Sequence, residues 1–425
     1  MRPDSARAAR EAARTEAEAG DLANVPRPRE QTRLFGHAHA EAAFAGALAA
    51  GRLHHAWLIG GPPGIGKATL AYRVARRLVA DPRTLPSPDT LDVPEDHAAA
   101  RQVTALSHPN LIALRRVQAP GAKTLPTRIS VDAARAALAL FGTTAGGEGG
   151  WRVCIVDSAE DLNANSANAL LKMIEEPPPR AIFLIVSHAP GRLLPTIRSR
   201  CRALALRALP EADVRAVIEG FPPPFPPPDG AALARAVARS EGSVARAVAL
   251  LDPATAAVEA EISALLAGLH EPDGRRVLKL AETLAGRDAE PLLATALDAM
   301  QRHVAAEIDR RQSEGPARLL GLVEAAERIA TAARDAAVYN LDRRPLILMA
   351  FRELAEATVG PARSCGPGQA PRGRGWRRGP SWRRFPELCR LPRTKLRTRA
   401  PSRAFRRDRL PVSSLPQTTR STIRR

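Results

Sequence analysis

Apolar residues follow two different rhythms along this chain. Up to about residue 207, short apolar runs of strand length alternate with amphipathic stretches. The runs at 56–59, 111–114, 153–156 and 182–186 are bounded by turn-forming residues, and the last three are rich in Ile, Val or Leu. Such runs predict strands. Between them, 68–79 and 164–174 carry the helical period. This alternation predicts an α/β domain over 26–207, a parallel sheet flanked by helices, preceded by a flexible polar leader at 1–25.

Beyond residue 207 the strand pattern stops. Stretches 210–219 and 230–240 read as short helices and define a small helical lid over 208–253. Between them lies the run FPPPFPPP at 221–228. Proline's locked φ and missing amide hydrogen exclude a regular helix there. The run is read as an inter-helix loop, with a polyproline II ligand for another domain as the alternative. From Thr255 onward the pattern is wholly helical. Val258, Ile262, Leu265, Leu266 and Leu269 share one face, and Leu293, Leu297, Met300, Val304 and Ile308 share another. With a last helix over 345–357, these stripes predict an all-α bundle at 254–359, a packed core that can also carry oligomer contacts.

Composition changes this picture in one place. The 425 residues carry a formal charge of +19, but 361–425 alone hold 19 Lys and Arg against two acids, Glu387 and Asp408. The body is therefore nearly neutral, and the charge is no sign of a basic fold. Segment 360–425 is rich in Arg, Pro, Ser and Gly, with Trp376 and Trp382 interleaved. It lacks apolar periodicity and is expected to be disordered. Two readings stay open: an arm that contacts nucleic acid by charge and base stacking, or the product of GC-rich codons read out of frame.

Cysteine usage and hydropathy exclude other classes. Cys154, Cys201, Cys365 and Cys389 form no C-x-x-C pair, so neither zinc nor a disulfide framework is expected. The N-terminus lacks the apolar segment of a secretory signal, and no run of 18 apolar residues occurs. A soluble cytoplasmic protein with no membrane partner is expected.

The candidate chemistry follows the first predicted strand. Gly60-Gly61-Pro62-Pro63-Gly64-Ile65-Gly66-Lys67-Ala68-Thr69 leads into a helical pattern. Glycines allow a nest of backbone N–H groups that faces phosphate oxygens, the helix offers its N-terminus, and Lys67 reaches the β- and γ-phosphates. Gly61, Gly64, Gly66 and Lys67 are thus candidate nucleotide-binding residues, as are Thr69 and Asp157, the acid that ends the strand 153–156. A glycine-rich turn without ligand is the plainer alternative. Two positions fail the chemistry of hydrolysis. The Mg²⁺-binding hydroxyl expected after the lysine is replaced by Ala68, and Thr69 lies about 100° further round the helix. Ser158 follows Asp157 where a general base would polarise water. Glu160 and Asp161 fall in the next turn and read as solvated caps. Loss of a base alone costs about 10²–10⁴ in rate.

Three sequence blocks resemble AAA+ clamp-loader subunits of bacterial DNA polymerase III. They are Leu53-His54-His55-Ala56-Trp57-Leu58, Asn168-Ala169-Leu170-Leu171-Lys172-Met173-Ile174-Glu175-Glu176-Pro177-Pro178, and Ile197-Arg198-Ser199-Arg200-Cys201. The resemblance covers about 26–356 and implies a P-loop AAA+ domain, a lid and a helical collar. It implies a hetero-oligomeric ring with ATPase-active subunits and a clamp-opening subunit, which loads a sliding clamp on primed DNA. It makes Arg200 the arginine finger that reaches a neighbour's ATP site, against the plainer reading of Arg198, Arg200 and Arg202 as a solvated basic face. Ser187 falls where the family has its polar γ-phosphate sensor, or is a strand-end cap. In ATPase-active relatives an arginine stands three residues after the lid glycine Gly242; here Ala245 stands there, and Arg246 is one step off. The four-cysteine zinc module of some relatives has no counterpart in 81–110, which contains no Cys, so no zinc is expected.

The expectation is therefore a subunit that does not hydrolyse ATP, with ATP or ADP bound or not, and a part of a DNA-directed DNA polymerase (nucleotidyltransferase) holoenzyme. The alternatives are an ATPase-active motor subunit of the same family and a nucleic-acid-binding protein led by its tail.

Overall fold

A computed structural model describes residues 24–118 and 150–359, except 86, 88–89 and 287–288, together with the isolated positions 18, 21, 22, 126, 128, 129 and 134. Nearly all of the leader and the whole of 360–425 lie outside the described residues, and both readings of the tail with them.

Five parallel strands form one sheet: β1 (Ala56–Gly60), β2 (Leu111–Leu114), β3 (Arg152–Val156), β4 (Ala181–Ser187) and β5 (Arg202–Ala205). Their order is β2-β3-β4-β1-β5. The strands β1, β3 and β4 are buried throughout, as a sheet covered on both faces requires. Alternate residues serve opposite faces. Trp57, Ile59, Val153, Ile155, Leu184 and Val186 pack under α1 (Ala38–Ala49), α2 (Lys67–Val79) and α3 (Ala98–Thr104). Leu58, Cys154, Val156, Phe183 and Ile185 face α4 (Ala164–Glu175) and α5 (Pro195–Arg198). Burial pushes the Cys154 thiol up to about 12, so it behaves as an apolar side chain.

The pattern of the sequence located four strands within one residue of their ends. It missed β5, a short edge strand paired with β1. Its residues Arg202-Ala203-Leu204-Ala205 are mostly exposed and include no β-branched side chain, so neither periodicity nor propensity marks it.

Three short helices follow: α6 (Glu211–Glu219), α7 (Gly230–Arg239) and α8 (Val244–Ala249). Leu209, Val214, Ile218, Leu233, Val237 and Ala247 form their small core. Asp229 and Ser243 cap α7 and α8 by accepting the amides of Ala232 and Arg246. The proline run folds back onto this core, with Phe221 and Phe225 edge to face at 5.1 Å. It is an inter-helix loop packed by its own aromatics.

The remaining helices are α9 (Pro253–Ala267), α10 (Gly274–Leu284), α11 (Glu290–Arg310), α12 (Pro316–Tyr339) and α13 (Arg343–Val359). All five residues of the first predicted stripe are buried; of the second, Leu293, Met300 and Val304 are buried, while Leu297 and Ile308 are half-buried at its edge. Asn340, at φ 50°, ends α12 in the left-handed conformation and reverses the chain into α13.

Lid and bundle meet through one buried carboxylate. Glu259 on α9 is 2% exposed and is met by Arg239 of α7, Arg246 of α8 (2.6 Å) and Arg302 of α11 (3.4 Å). A buried charge that loses its partner is far costlier than an exposed one. Among the described residues, replacing Glu259 leaves Arg246 and Arg302 only the more exposed Glu241 and Asp298 as partners, and removes the carboxylate that Arg239 meets. Glu259→Ala is expected to lower unfolding free energy by about 3–5 kcal/mol, measured as a shift of the urea midpoint; an unchanged midpoint would show that the arginines find water instead.

Candidate functional site

A cavity of about 390 Å³ opens at the carboxyl ends of β1, β3 and β4, where open α/β sheets bind ligands. One part is apolar, walled by Leu34, Leu209, Val217, Phe221 and Val248. The other is charged, with Lys67, Asp157, Arg115, Arg116 and His188. The first α/β segment and the lid both contribute to its lining.

The glycines have separate duties. Gly64, at φ 74°, accepts the Val244 amide of the lid through its carbonyl at 2.9 Å. A Cβ on Gly64 would lie 2.3 Å from Ser243 Oγ and 2.7 Å from the Ala245 methyl, so only glycine permits this approach. Gly66, at φ 95°, starts α2. Gly61 does not line the cavity; a Cβ there would lie 2.4 Å from the Leu206 carbonyl, beside the end of β5. His37 lies beneath the loop, 3 residues after Leu34, and its Nε2 meets the Ile65 carbonyl at 2.7 Å.

Lys67 is 3% exposed. Its ammonium donates to the Gly61 carbonyl at 2.8 Å and to the Pro62 carbonyl. Burial lowers it to about 8, against the pull of Asp157 and Glu160. Asp157 is raised to about 6 by burial, opposed by Lys67 and Arg115. Ala68 and Thr69 both line the cavity.

The polar residues after Asp157 are engaged with neighbours. Ser158 Oγ pairs with His188 Nε2 at 2.9 Å. Glu160 is not a solvated cap as its position suggested. Its Oε1 accepts the Ser187 hydroxyl at 2.6 Å and the amides of His188 and Ala189 at 2.8 and 2.7 Å. It is a half-buried tie across the end of β4. Asp161 pairs with Arg116 at 2.6 Å. Ser187 is fully buried and does not line the cavity, because Glu160 holds its hydroxyl. His188 lines it instead, held to about 4 by burial and by Lys67. Arg246 points to the lid–bundle junction, where it meets Glu241 and Glu259.

Arg115, Arg116 and His188 are among the cavity residues that motif reading did not select. Arg115 was discoverable: Leu114 pairs with Val156 in parallel register, so the residue after each strand, Arg115 and Asp157, emerges on the same edge.

Arg200 lies outside the cavity, after α5, with its side chain 39% exposed. Its guanidinium donates to the Thr196 carbonyl at 3.0 Å and pairs with Glu175 at 2.8 Å. The finger candidate and the phosphate-loop residues are thus separate sites on one domain.

Comparison with known proteins shows what this architecture is similar to. Residues 36–210 match the model of the family described as DNA polymerase III, delta subunit. The chain is 35% identical over 189 residues to the DNA polymerase III subunit delta' of Pseudomonas aeruginosa, covering 44% of this chain and 53% of that protein. It is 29% identical over 289 residues to the DNA polymerase III subunit tau of Escherichia coli, covering 67% of this chain and 42% of that one. The chain spans about half the length of the curated relatives it matches. A gamma subunit-related protein of Thermotoga maritima aligns over 72% of this chain and 95% of its own at 14% identity, with a TM-score of 0.33, too loose to bear on function. Over the matched region the chain is similar to subunits of DNA polymerase III. That similarity includes the delta' subunit. Among the described residues, no helix is long and apolar enough to cross a membrane.

The geometry suits an anion beside Lys67, provided the ammonium leaves its loop carbonyls. Lys67 loses its proton as pH rises through about 8, whereas Asp157, near 6, is already ionised and His188, near 4, already neutral. An anion therefore binds best below pH 8. Affinity for ADP is expected to fall about tenfold from pH 7 to pH 9, measured by calorimetry, and the Lys67→Met chain should lose this dependence. A flat profile in the unaltered chain would separate Lys67 from phosphate binding.

Proposed function

We propose that this chain is a non-hydrolysing subunit of a DNA polymerase III clamp loader, and that it supplies Arg200 in trans to the ATP site of a neighbouring ATPase-active subunit. The observation that carries the proposal is the state of the acids beside the phosphate loop. Ser158 stands where the base would be and is hydrogen-bonded to His188, while Glu160 is consumed by Ser187 and two amides. Asp161, the other acid after Asp157, is paired with Arg116. Ala68 offers no oxygen to Mg²⁺, and Ala245 offers the cavity a methyl in place of a guanidinium.

Arg200 supports the second half. It is exposed and outside its own cavity, and a guanidinium of fixed position neutralises charge that develops on a transferring phosphoryl group. In this reading Gly61, Gly64, Gly66, Lys67, Thr69, Asp157 and Ser187 maintain the nucleotide fold, and ATP or ADP is bound without turnover. Partners would be the other ring subunits and, through the ring, the sliding clamp and primed DNA in the bacterial cytoplasm.

One observation favours a motor subunit instead: the likeness to tau covers more of the chain than the likeness to delta'. The two readings part on turnover. The purified chain is expected to show no ATPase above background. In a reconstituted loader, Arg200→Ala should assemble normally and lower clamp-dependent ATPase at the neighbouring site by about 10³ or more. Turnover by the isolated chain would falsify the first half, and an unaltered loader rate with Arg200→Ala the second.

A further inference from the structure

The three sequence blocks that carry the clamp-loader likeness are far apart along the chain and meet in space. The His55 ring hydrogen-bonds the backbone of Ile174, next to the end of α4. The guanidinium of Arg202 sits over the Trp57 ring, 4.6 Å from its centre. Between these contacts, Arg200 Nη2 lies 2.8 Å from Glu175 Oε1. The second block thus supplies the carboxylate that meets Arg200 of the third, while the first packs beside them through His55 and Trp57.

The backbone around Arg200 is fixed by packing. Ile197 is 3% exposed, and Cys201 packs against the same apolar face of the sheet. The Arg200 amide donates to the Ile197 carbonyl at 3.2 Å. Glu175 is equally fixed in place, because it is the last residue of α4 and Pro177-Pro178 cannot continue that helix. The long side chain is the part that packing does not fix. Among the described residues its guanidinium meets the Thr196 carbonyl, Ser199 Oγ and Glu175. Thr196 and Ser199 belong to the same turn and move with Arg200. Glu175 alone ties the guanidinium to a different element. With Arg198 and Arg202 two residues to either side, a carboxylate at this point also draws the middle arginine out of a like-charged row.

We infer that Glu175 is a positioning residue for Arg200: it holds the guanidinium on the body of the domain in the geometry that a neighbouring subunit receives. This rests on the reading of Arg200 as a finger in trans. The pair is partly exposed, 39% and 45% for the two side chains, so its contribution is limited. Exposed pairs are weak, and removing the tie is expected to reduce turnover by about three- to fivefold, far less than removal of Arg200 itself.

The test uses the reconstituted loader ring with Glu175→Ala, Glu175→Gln and Arg200→Ala in this chain. Glu175→Ala is expected to lower kcat about three- to fivefold, with KM for ATP, ring assembly by gel filtration and Tm of the chain unchanged. Glu175→Gln, whose amide oxygen can accept the same N–H, is expected to recover more than half of the loss. If Glu175→Ala keeps full kcat while Arg200→Ala is impaired, the positioning role falls and the finger stands. If Arg200→Ala is unimpaired, both fall. A loss in Glu175→Ala that tracks lower Tm or incomplete assembly also overturns the proposal, because it assigns Glu175 to stability alone.

Discussion

The structure around the nucleotide cavity depends on one buried charge. Lys67 is almost wholly enclosed, and an enclosed ammonium must be met by oxygen. The loop supplies two of its own carbonyls, from Gly61 and Pro62. To turn them inward the backbone adopts positive φ at Gly61, Gly64 and Gly66. The same path directs the Gly64 carbonyl outward, where it accepts the first free amide of α8. Loop and lid are therefore joined by a consequence of neutralising Lys67, and the apolar wall contributed by Leu209, Val217, Phe221 and Val248 comes with the lid.

The charge balance also sets what the cavity can do. Asp157 faces Lys67 and Arg115, yet burial keeps it near 6, so at neutral pH it is an anion held by two cations. Such an aspartate needs no metal for its neutrality. Glu160, which could have served as a base, is committed to the end of β4, where it accepts one hydroxyl and two amides. Three good hydrogen bonds to one oxygen stabilise the carboxylate, in line with its lowered pKa despite burial. Releasing it toward a water would leave those donors unpaired, at about 1–3 kcal/mol for each buried group.

Most of the fold was legible because burial wrote it in the sequence. The runs of β1, β3 and β4 are apolar on both faces, and the stripes of α9 and α11 repeat at helical spacing. β5 was not legible, since it earns its place by pairing with β1 and not by burial. In the site, the phosphate loop and Asp157 were readable from motif spacing. What motif spacing does not encode is which way a side chain turns. Ser187 ends its strand as expected, but its hydroxyl is taken by Glu160, and the next residue, His188, faces the cavity. Gly61 belongs to the motif, yet its constraint comes from the Leu206 carbonyl. Those outcomes depend on neighbours brought in by the sheet order, which no local pattern specifies.

This division explains how a phosphate loop can be intact without implying hydrolysis. Each loop residue that is present also has a structural duty. Lys67 is bound to the loop it belongs to, Gly64 admits the lid, Gly61 admits the end of β5, and Gly66 starts α2. Replacing any of them strains the backbone or strands a buried donor. The three missing groups are of the other kind. A hydroxyl at 68, a carboxylate at 158 and a guanidinium at 245 would face the cavity, whose lining already includes all three positions, and would pack against no core. The fold needs none of them. In this P-loop signature the glycines and lysine answer to the demands of folding, so by themselves they are weak grounds for assigning an ATPase.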